Sequence, residues 1–389
     1  MQQNHIKSIE KCKKRVYHIL RMIILRFIKK NTVFCVAVLA AVITAFFVPP
    51  DMAYLDYFDW KTLACLFITL AVICALRNIK FFTILARRLV MLTGNLRNLF
   101  LMLLCITFIG SMLIANDMAL ITFLPLGYFA LSVANEQKYM AYLFILQNIA
   151  ANLGGMLTPF GNPQNLYLYS FFNIPTGEFC LIMLPPFLLA IAMLVAACFF
   201  VKSKKLTIDE HFGEALDFWK TVLYLSLFAF SLLIVFRLVP YWFGLILIPI
   251  VLLAFDRRAL LSVDYGLLGT FFFFFIFAGN LARIDAVNAF VSALLQKDTM
   301  LVSIASCQCI SNVPSAILLS QFTDNYKALL LGVNIGGTGT LIASLASLIT
   351  FNEYRVLYPK KTMHYFLMFT GINVIFLVVM TVVSKLFFV

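Results

Sequence analysis

Two sets of helix-breaking and small polar residues interrupt long apolar segments of this 389-residue chain. The first set is Ala115-Asn116-Asp117 followed by Gly154–Asn165, and the second is Ser311-Asn312-Val313 followed by Gly336–Ser347. Interrupted apolar segments at corresponding positions of two halves are typical of the binding sites of secondary transporters. The pattern therefore predicts a protein that moves a solute across a membrane.

These interruptions would end helices in the middle of the membrane. The N-terminus of a half-helix presents free N–H groups and a partial positive charge, which suit an anion. The carbonyl groups at a half-helix C-terminus, together with Asn and Ser oxygens, suit a hard cation such as sodium. The candidate substrate- and ion-binding residues are Asn116, Asp117, Thr158, Pro159, Gly161, Asn162, Pro163, Asn165, Ser311, Asn312, Pro314, Gly337, Thr340, Ser344 and Ser347.

Asp117 is the ionisable residue that the sequence places deepest in an apolar segment. A carboxylate inside a membrane is costly and usually functional, so Asp117 is a candidate to coordinate a coupling cation or to carry a proton. The alternative is that Asp117 caps the half-helix that follows it. The two roles are compatible.

The composition predicts an all-α polytopic membrane protein. Hydrophobic residues make up 63% of the chain and charged residues 12%, and apolar runs recur from residue 33 to the end. Many runs reach the roughly 20 helical residues that cross a bilayer core. Helices are expected because lipid offers no partner for an unpaired backbone group. No stretch between the spans is long enough for a soluble domain.

The net charge of +13 is distributed as topology determinants rather than as a nucleic-acid surface. Nine of the 30 Lys and Arg precede Asn31, and we expect residues 1–31 to form a basic amphipathic segment on the anionic inner leaflet, or else a disordered basic tail. A cytoplasmic N-terminus and an external C-terminus place 24 basic residues inside and six outside. This excess favours that orientation in the inner membrane.

The charge pattern also predicts two repeats of opposite topology, with about nine transmembrane helices and two re-entrant hairpins in all. The first repeat covers 32–201, the linker loop and linker helix cover 202–240, and the second repeat covers 241–389. The predicted hairpins are 98–134, with a further interruption at Pro125, and 300–323. Two ordinary spans joined by a tight turn are the alternative to the first hairpin. The predicted broken helices are 139–172, whose second half begins at residue 166, and 326–351, whose second half begins at residue 341.

At these motifs the sequence resembles the ion transporter superfamily, which includes divalent-anion/sodium symporters, citrate transporters and arsenite permeases. Dicarboxylate members carry Ser-Asn-Thr at each hairpin tip, whereas this chain has Ala115-Asn116-Asp117 and Ser311-Asn312-Val313. The first tip is closer to the arsenite-permease and citrate-transporter branch. Thr158-Pro159 and Asn162–Asn165 resemble the first unwound loop of the family, and the second loop keeps Gly337, Thr340 and Ser344.

The resemblance implies two sodium sites with the anion between the hairpin tips. Asn116 with Gly161 and Asn162 would frame one site, and Asn312 with Ala343 and Ser344 would frame the other. It also implies a homodimer in which a transport domain moves against a fixed scaffold, the elevator mechanism.

The leading hypothesis is therefore a secondary active transporter of a small organic anion, such as citrate or a dicarboxylate, coupled to sodium or protons and without another cofactor. The alternative is arsenite or metalloid efflux, or sodium/proton exchange centred on Asp117. An enzyme is not expected, because the sequence shows no cluster of His, Asp and Cys.

Overall fold

A computed structural model describes residues 31–205 and 216–387, and these residues form an all-α protein. Eight of the described helices are long and apolar enough to cross a membrane, which confirms the predicted polytopic fold. The basic segment predicted for 1–31 lies outside the described residues except for Asn31. The helices are α1 (Thr32–Phe47), α2 (Trp60–Asn78), α3 (Phe81–Met91), α4 (Leu96–Ile114), α5 (Asn116–Val133), α6 (Met140–Gly154), α7 (Pro163–Phe171), α8 (Thr176–Cys198), α9 (Phe218–Val235), α10 (Tyr241–Phe255), α11 (Arg257–Leu261), α12 (Tyr265–Ala282), α13 (Asp285–Ile310), α14 (Asn312–Leu319), α15 (Tyr326–Ile335), α16 (Leu345–Leu357) and α17 (Thr362–Phe387).

Several helices begin where a polar side chain accepts a hydrogen bond from a backbone N–H of the first turn. Asp59 accepts from Thr62 at the start of α2, and Asp264 accepts from Leu267 at the start of α12, both at 3.0 Å. Such N-caps satisfy donors that have no partner within the helix. Short polar connections between apolar runs therefore define the ends of the spans.

The two halves of the chain have a similar order of helices. Helices α1 to α8 are followed by the linker helix α9, and α10 to α17 then repeat the series with two differences. The short α11 has no counterpart in the first half, and the short helix before the second hairpin is the first part of α13. Each half contains two apolar helices, one short helix, a hairpin, a broken helix and a final long helix. The opposite orientation of the two halves stays a prediction.

The first part of α13 was not predicted from the sequence. This helix begins at Asp285, and its backbone leaves helical geometry at Asp298. The Oδ1 atom of Asp298 accepts a hydrogen bond from Leu301 N at 2.9 Å and so caps a second helical segment, which ends at Ile310. In chain order, the segment before Asp298 corresponds to α3.

The structure contains both predicted hairpins. The arms α4 and α5 pack against each other and meet at Ala115, and α13 and α14 do so at Ser311. Gly110 allows the close packing of the first pair, because an added Cβ would lie 2.4 Å from the ring of Phe123. The expected interruption at Pro125 is absent, since α5 continues through this residue. Whether the hairpins re-enter the membrane stays a prediction.

Both predicted broken helices are present, but two boundaries differ from expectation. Helix α7 begins at Pro163 rather than at residue 166, because proline suits the first helical position, where no N–H is needed. Helix α16 begins at Leu345 rather than at residue 341, because Ser344 caps it. Pro163, Asn165 and Ser347 are therefore helical residues, and the unwound segments are 155–162, which includes a short 3-10 turn, and 336–344.

The broken helices occupy the interior of the protein. Within the most apolar 18 residues of Gln137–Leu157, 89% of the residues are buried, against 22% for the most apolar 18 residues of Pro359–Phe387, which contains α17. The unwound segments therefore lie where irregular backbone must find partners inside the protein, since lipid supplies none.

Candidate functional site

The two hairpin tips have the same backbone conformation. Ala115 has φ 64° and ψ 151°, and Ser311 has φ 76° and ψ 158°, a region that is strained for residues with a side chain. The next residues, Asn116 and Asn312, are buried, and each side-chain Oδ1 accepts a hydrogen bond from the following backbone N–H at 2.9 Å. Each tip thus holds a carboxamide at the first position of a new helix.

The first unwound segment is held by close backbone packing. An added Cβ at Gly155 would lie 2.3 Å from Asn162 Oδ1, and one at Gly161 would lie 2.3 Å from Gly155 O. Thr158 Oγ1 donates to Met112 O at 2.9 Å, which connects the segment to the first arm of the hairpin. Asn165 Nδ2 donates to Gly155 O at 3.2 Å from the first turn of α7. Pro159 is buried in the same segment.

The second unwound segment is held mainly by Gln308, which lies on α13 close to the tip. Its Oε1 accepts from Thr340 N at 2.8 Å, and its Nε2 donates to Gly336 O at 2.9 Å. Ser344 Oγ accepts from Ser347 N at 3.2 Å and caps α16. Gln308 could not be selected from the sequence, because its partners are about 30 residues away in the chain.

Buried asparagines connect the first tip to the second half of the protein. Asn116 Nδ2 donates to Asn152 Oδ1 at 3.1 Å, and Asn152 Nδ2 donates to Asn148 O at 3.1 Å. Asn148 Nδ2 then donates to Ser347 Oγ at 3.3 Å. The chain of contacts therefore runs from the tip before α5, through α6, to the first turn of α16.

A second set of asparagines connects the two broken helices directly. Asn162 Nδ2 donates to Asn334 Oδ1 at 3.4 Å, and Asn334 Nδ2 donates to Asn165 Oδ1 at 2.6 Å. Asn152 and Asn334 were not selected from the sequence. A signal was present, because each stands two residues before a Gly-Gly pair, in Asn152-Leu-Gly-Gly and Asn334-Ile-Gly-Gly.

The structure brings together the second of the two predicted sodium sets. Asn312 N donates to Ala343 O at 3.0 Å, next to Ser344. In the first set, Asn116 and Asn162 both contact Asn152, which lies between them. Asn162 Oδ1 is buried and has no hydrogen-bond partner among the described residues, so it is an oxygen that a cation would satisfy. Gly161 lies beside it.

A cavity of about 470 Å³ lies between the two tips. Asn116 and Asp117 line it from the first tip, and Ser311 through Pro314 line it from the second. Pro163 and Leu345 add the starts of α7 and α16, and Asp264 adds the start of α12. With Thr32 at the start of α1, the N-terminal ends of six helices reach this one cavity, five by their first residue and α12 by its N-cap.

The cavity lining carries acidic side chains but no basic ones among the described residues. Asp117 and Asp264 are its ionisable residues, and Gln164, Asn312 and Thr270 add neutral polar groups. Asp117 Oδ1 is buried and has no hydrogen-bond partner in the described part of the chain. The other predicted site residues hold the loops rather than line the cavity: Thr158, Pro159, Gly161, Asn162, Asn165, Gly337, Thr340, Ser344 and Ser347.

Comparison with known proteins identifies the family. The sequence profile described as citrate transporter matches residues 20–328, most of this chain. The chain belongs to the citrate transporter family. The match includes both tips, the first broken helix and the start of α15.

The relatives of this citrate transporter family member are named as transporters or as a membrane protein. It is 35% identical over 336 residues to an uncharacterized transporter of Methanocaldococcus jannaschii, covering 85% of this chain and 91% of the relative. It is 29% identical over 347 residues to the inner membrane protein YbiR of Escherichia coli, with the same coverage. A silicon efflux transporter of Oryza sativa is 33% identical over 171 residues, 43% of this chain and 34% of the relative. The protein is therefore a multi-pass membrane protein and a secondary transporter, not an enzyme.

Proposed function

We propose that this protein carries a small organic anion, citrate or a dicarboxylate, across the membrane together with sodium or protons. The observation that carries the proposal is the meeting of six helix N-termini at one cavity between the two tips. The family profile supports the same class of solute.

Helix N-termini can bind an anion without a basic side chain. Each presents backbone N–H groups that the helix itself leaves unbonded, and each carries about half a positive charge. Asn116 and Asn312 add carboxamide groups on opposite sides of the cavity. A volume of about 470 Å³ lies within the usual range of roughly 300–1,000 Å³ for small-molecule sites.

The carboxylate of Asp117 would make binding of the anion depend on binding of the cation. An anion in the cavity and a charged Asp117 repel each other by roughly 3 kcal/mol at a separation of about 5 Å and an effective dielectric constant of about 20. A sodium ion or a proton on Asp117 removes that repulsion. The anion would therefore bind well only when the cation is present, as symport requires.

The proposal includes movement of the tips and loops as one body, the elevator mechanism that the superfamily resemblance implies. The hydrogen bonds from Asn116 through Asn152 and Asn148 to Ser347 support it, because they join the first tip to the second broken helix. The resemblance also implies a homodimer. The distribution of Lys and Arg supports an inner-membrane orientation with a cytoplasmic N-terminus and an external C-terminus.

A second candidate function is efflux of a metalloid oxyacid such as arsenite, or sodium/proton exchange at Asp117. One specific observation favours it. The described lining holds two carboxylates and no basic side chain, which suits a neutral or cationic solute. One relative is a silicon efflux transporter.

Uptake into proteoliposomes tests the proposal. Labelled citrate and succinate would be offered with an inward sodium gradient, an inward proton gradient or neither. We expect gradient-dependent uptake that falls at least tenfold in Asn116→Ala and in Asn312→Ala. Asn373→Ala is the matched control, because Asn373 is a fully buried amide on α17 that does not line the cavity. Unchanged uptake in both tip variants would contradict the site, and arsenite exchange without carboxylate uptake would favour the second candidate.

A further inference from the structure

Asp264 shares the cavity with Asp117 but belongs to the other half of the chain. It stands at the N-cap of α12, where its Oδ1 accepts from Leu267 N at 3.0 Å, and it interacts electrostatically with Asp117. Asp117 Oδ1 is buried without a hydrogen-bond partner among the described residues. Two negative side chains thus face one cavity whose described lining offers no basic side chain to balance them.

Gln164 provides an independent sign of a bound cation. Its side chain is 1% exposed and belongs to the cavity lining, yet its Oε1 has no hydrogen-bond partner in the described part of the protein. A buried carbonyl oxygen without a donor is costly, and a cation ligand would remove the cost. Carboxylate and carboxamide oxygens are the ligands preferred by hard cations rather than by transition metals.

Space around Asp264 is preserved by a glycine. An added Cβ at Gly266 would lie 2.7 Å from Asn31 Oδ1 and 3.1 Å from Asp264 Oδ1. Arg77 does not line the cavity, and its Nη1 donates to Met118 Sδ at 3.2 Å, on the residue after Asp117.

We infer that Asp264 and Asp117 together bind one sodium ion in this cavity, with Gln164 Oε1 as a further ligand. The inference rests on the proposed function and deepens it, because it names the coupling ion and adds a ligand from α12. The bound sodium would neutralise both carboxylates and allow an anion to occupy the helix N-termini. Because Asp117 lies on a tip and Asp264 on α12, movement of the tip against α12 would open the site and release the ion.

Sodium-dependent thermal stabilisation of the purified full-length protein tests this inference. Sodium would replace potassium at constant ionic strength, with and without citrate, for the wild type, Asp264→Asn and Asp117→Asn. The expected result is a rise of Tm with sodium in the wild type, since a ligand of the folded state stabilises it by mass action. We expect the half-effect sodium concentration to rise at least tenfold in each variant. Asparagine caps helices as well as aspartate does, so Asp264→Asn keeps the start of α12.

Asp256→Asn is the matched control. Asp256 caps α11 by accepting from Ala259 N at 3.2 Å, as Asp264 caps α12, but it lies outside the cavity lining. Its sodium response should equal that of the wild type. Gly266→Ala is a second test that keeps every charge and fills the space beside Asp264, and it should weaken the sodium response as well.

The possible outcomes separate this inference from the proposed function. A normal sodium response in Asp264→Asn and Gly266→Ala would overturn the role of Asp264 while leaving sodium-coupled anion transport intact. Stabilisation of the wild type by citrate but not by sodium would overturn the sodium site and leave the anion site. No response of the wild type to either ligand would overturn both.

Discussion

The two hairpin tips have the same backbone conformation but differ in charge. Ala115 and Ser311 have nearly the same φ and ψ, and each following asparagine accepts a hydrogen bond from the next backbone N–H at 2.9 Å. That next residue is Asp117 in the first tip and Val313 in the second. The duplicated geometry suits a solute that contacts both tips, whereas a carboxylate is present at the first tip alone.

The tips also differ in how they are attached. Asn116 reaches across to α6 through its side chain and bonds to Asn152. The second tip bonds to its own loop, where Asn312 N and Ser311 Oγ both donate to Ala343 O. Substitutions near the first tip should therefore disturb the series of side-chain hydrogen bonds that begins at Asn116. Substitutions near the second tip should disturb the unwound segment 336–344.

The largest expected effect is the difference in stability and uptake between Gly155→Ala and Gly337→Ala. A Cβ at Gly155 would lie 2.8 Å from the backbone oxygen of Gly161, which cannot move away, so we expect a loss of about 3 kcal/mol or more of unfolding free energy and no uptake. At Gly337 the nearest atom is the side-chain Nδ2 of Asn312 at 3.2 Å, so we expect a small stability change and a several-fold fall in uptake.

Thermal unfolding in detergent and uptake into proteoliposomes measure both effects. Gly177→Ala is the control, because an added Cβ there meets no atom within 4 Å. Equal losses in the variants at 155 and 337 would contradict the difference in packing between the two loops.

Asn152→Ala and Gln308→Ala should separate the two attachments. Removing the Asn152 side chain leaves Asn116 Nδ2 without its acceptor, which costs about 1–3 kcal/mol and loosens the tip that carries Asp117. We expect a roughly tenfold higher sodium requirement. Removing Gln308 frees Thr340 N and Gly336 O in the second loop, so we expect a higher KM for the anion at an unchanged sodium requirement. The reverse pattern would contradict the assignment of the cation to the first tip.

The sequence was sufficient to predict the spans, both tips and both breaks. Their signals are local, because apolar runs, glycines and prolines act on the backbone within a few residues. The first part of α13 was missed because Asp285 through Lys297 mixes polar and apolar residues and resembles a connection between spans. The start of α16 was predicted four residues too early. Ser344 is one of several small residues in this segment, and only the structure shows that its side chain caps the helix.

The partners inside the site could not be predicted in the same way. Asn148 and Ser347 are 199 residues apart, and Asn165 and Asn334 are 169 apart, so only the fold brings them together. In the sequence, Asp264 resembles an ordinary N-cap before a span. Only the folded structure shows that Asp264 and Asp117 line the same cavity. Residue types could be predicted to bind ions, but their pairing depends on tertiary packing.

Ion pairs at the hairpin bases allow a comparison of the two halves away from the cavity. Glu136 follows α5, is buried and pairs with Lys204 at 2.7 Å and Lys138 at 2.9 Å, whereas Asp298 pairs with Lys385 at the end of α17. We expect Glu136→Gln to cost about 1–2 kcal/mol. Asp298→Asn should cost less, because asparagine can still cap the segment after it.

The pH dependence of stability checks the role of Glu136. Hydrogen bonds from Lys204 and Lys138 lower the pKa of Glu136 below its usual 4.5. A carboxyl group with a lowered pKa in the folded state stabilises the protein above its unfolded pKa, and that stability is lost as the pH falls through the folded pKa. The difference in Tm between the wild type and Glu136→Gln should therefore be full at pH 7 and shrink below about pH 4.5. A constant difference across that range would contradict the ion-pair role.

The smallest expected effect concerns the tip residues themselves. A positive φ with ψ near 150° costs a non-glycine residue about 1–3 kcal/mol, and glycine adopts it freely at an entropic cost of about 0.5–1 kcal/mol. Ala115→Gly should therefore raise the unfolding free energy by about 1 kcal/mol. Ser311→Gly should gain less, because Ser311 Oγ donates to Asn312 Oδ1 at 3.3 Å and to Ala343 O at 3.4 Å. Tm gives the first readout and the uptake rate the second. If Ala115→Gly is more stable but slower, the strain at the tip contributes to its movement; if it is less stable, the tip is not strained at Ala115.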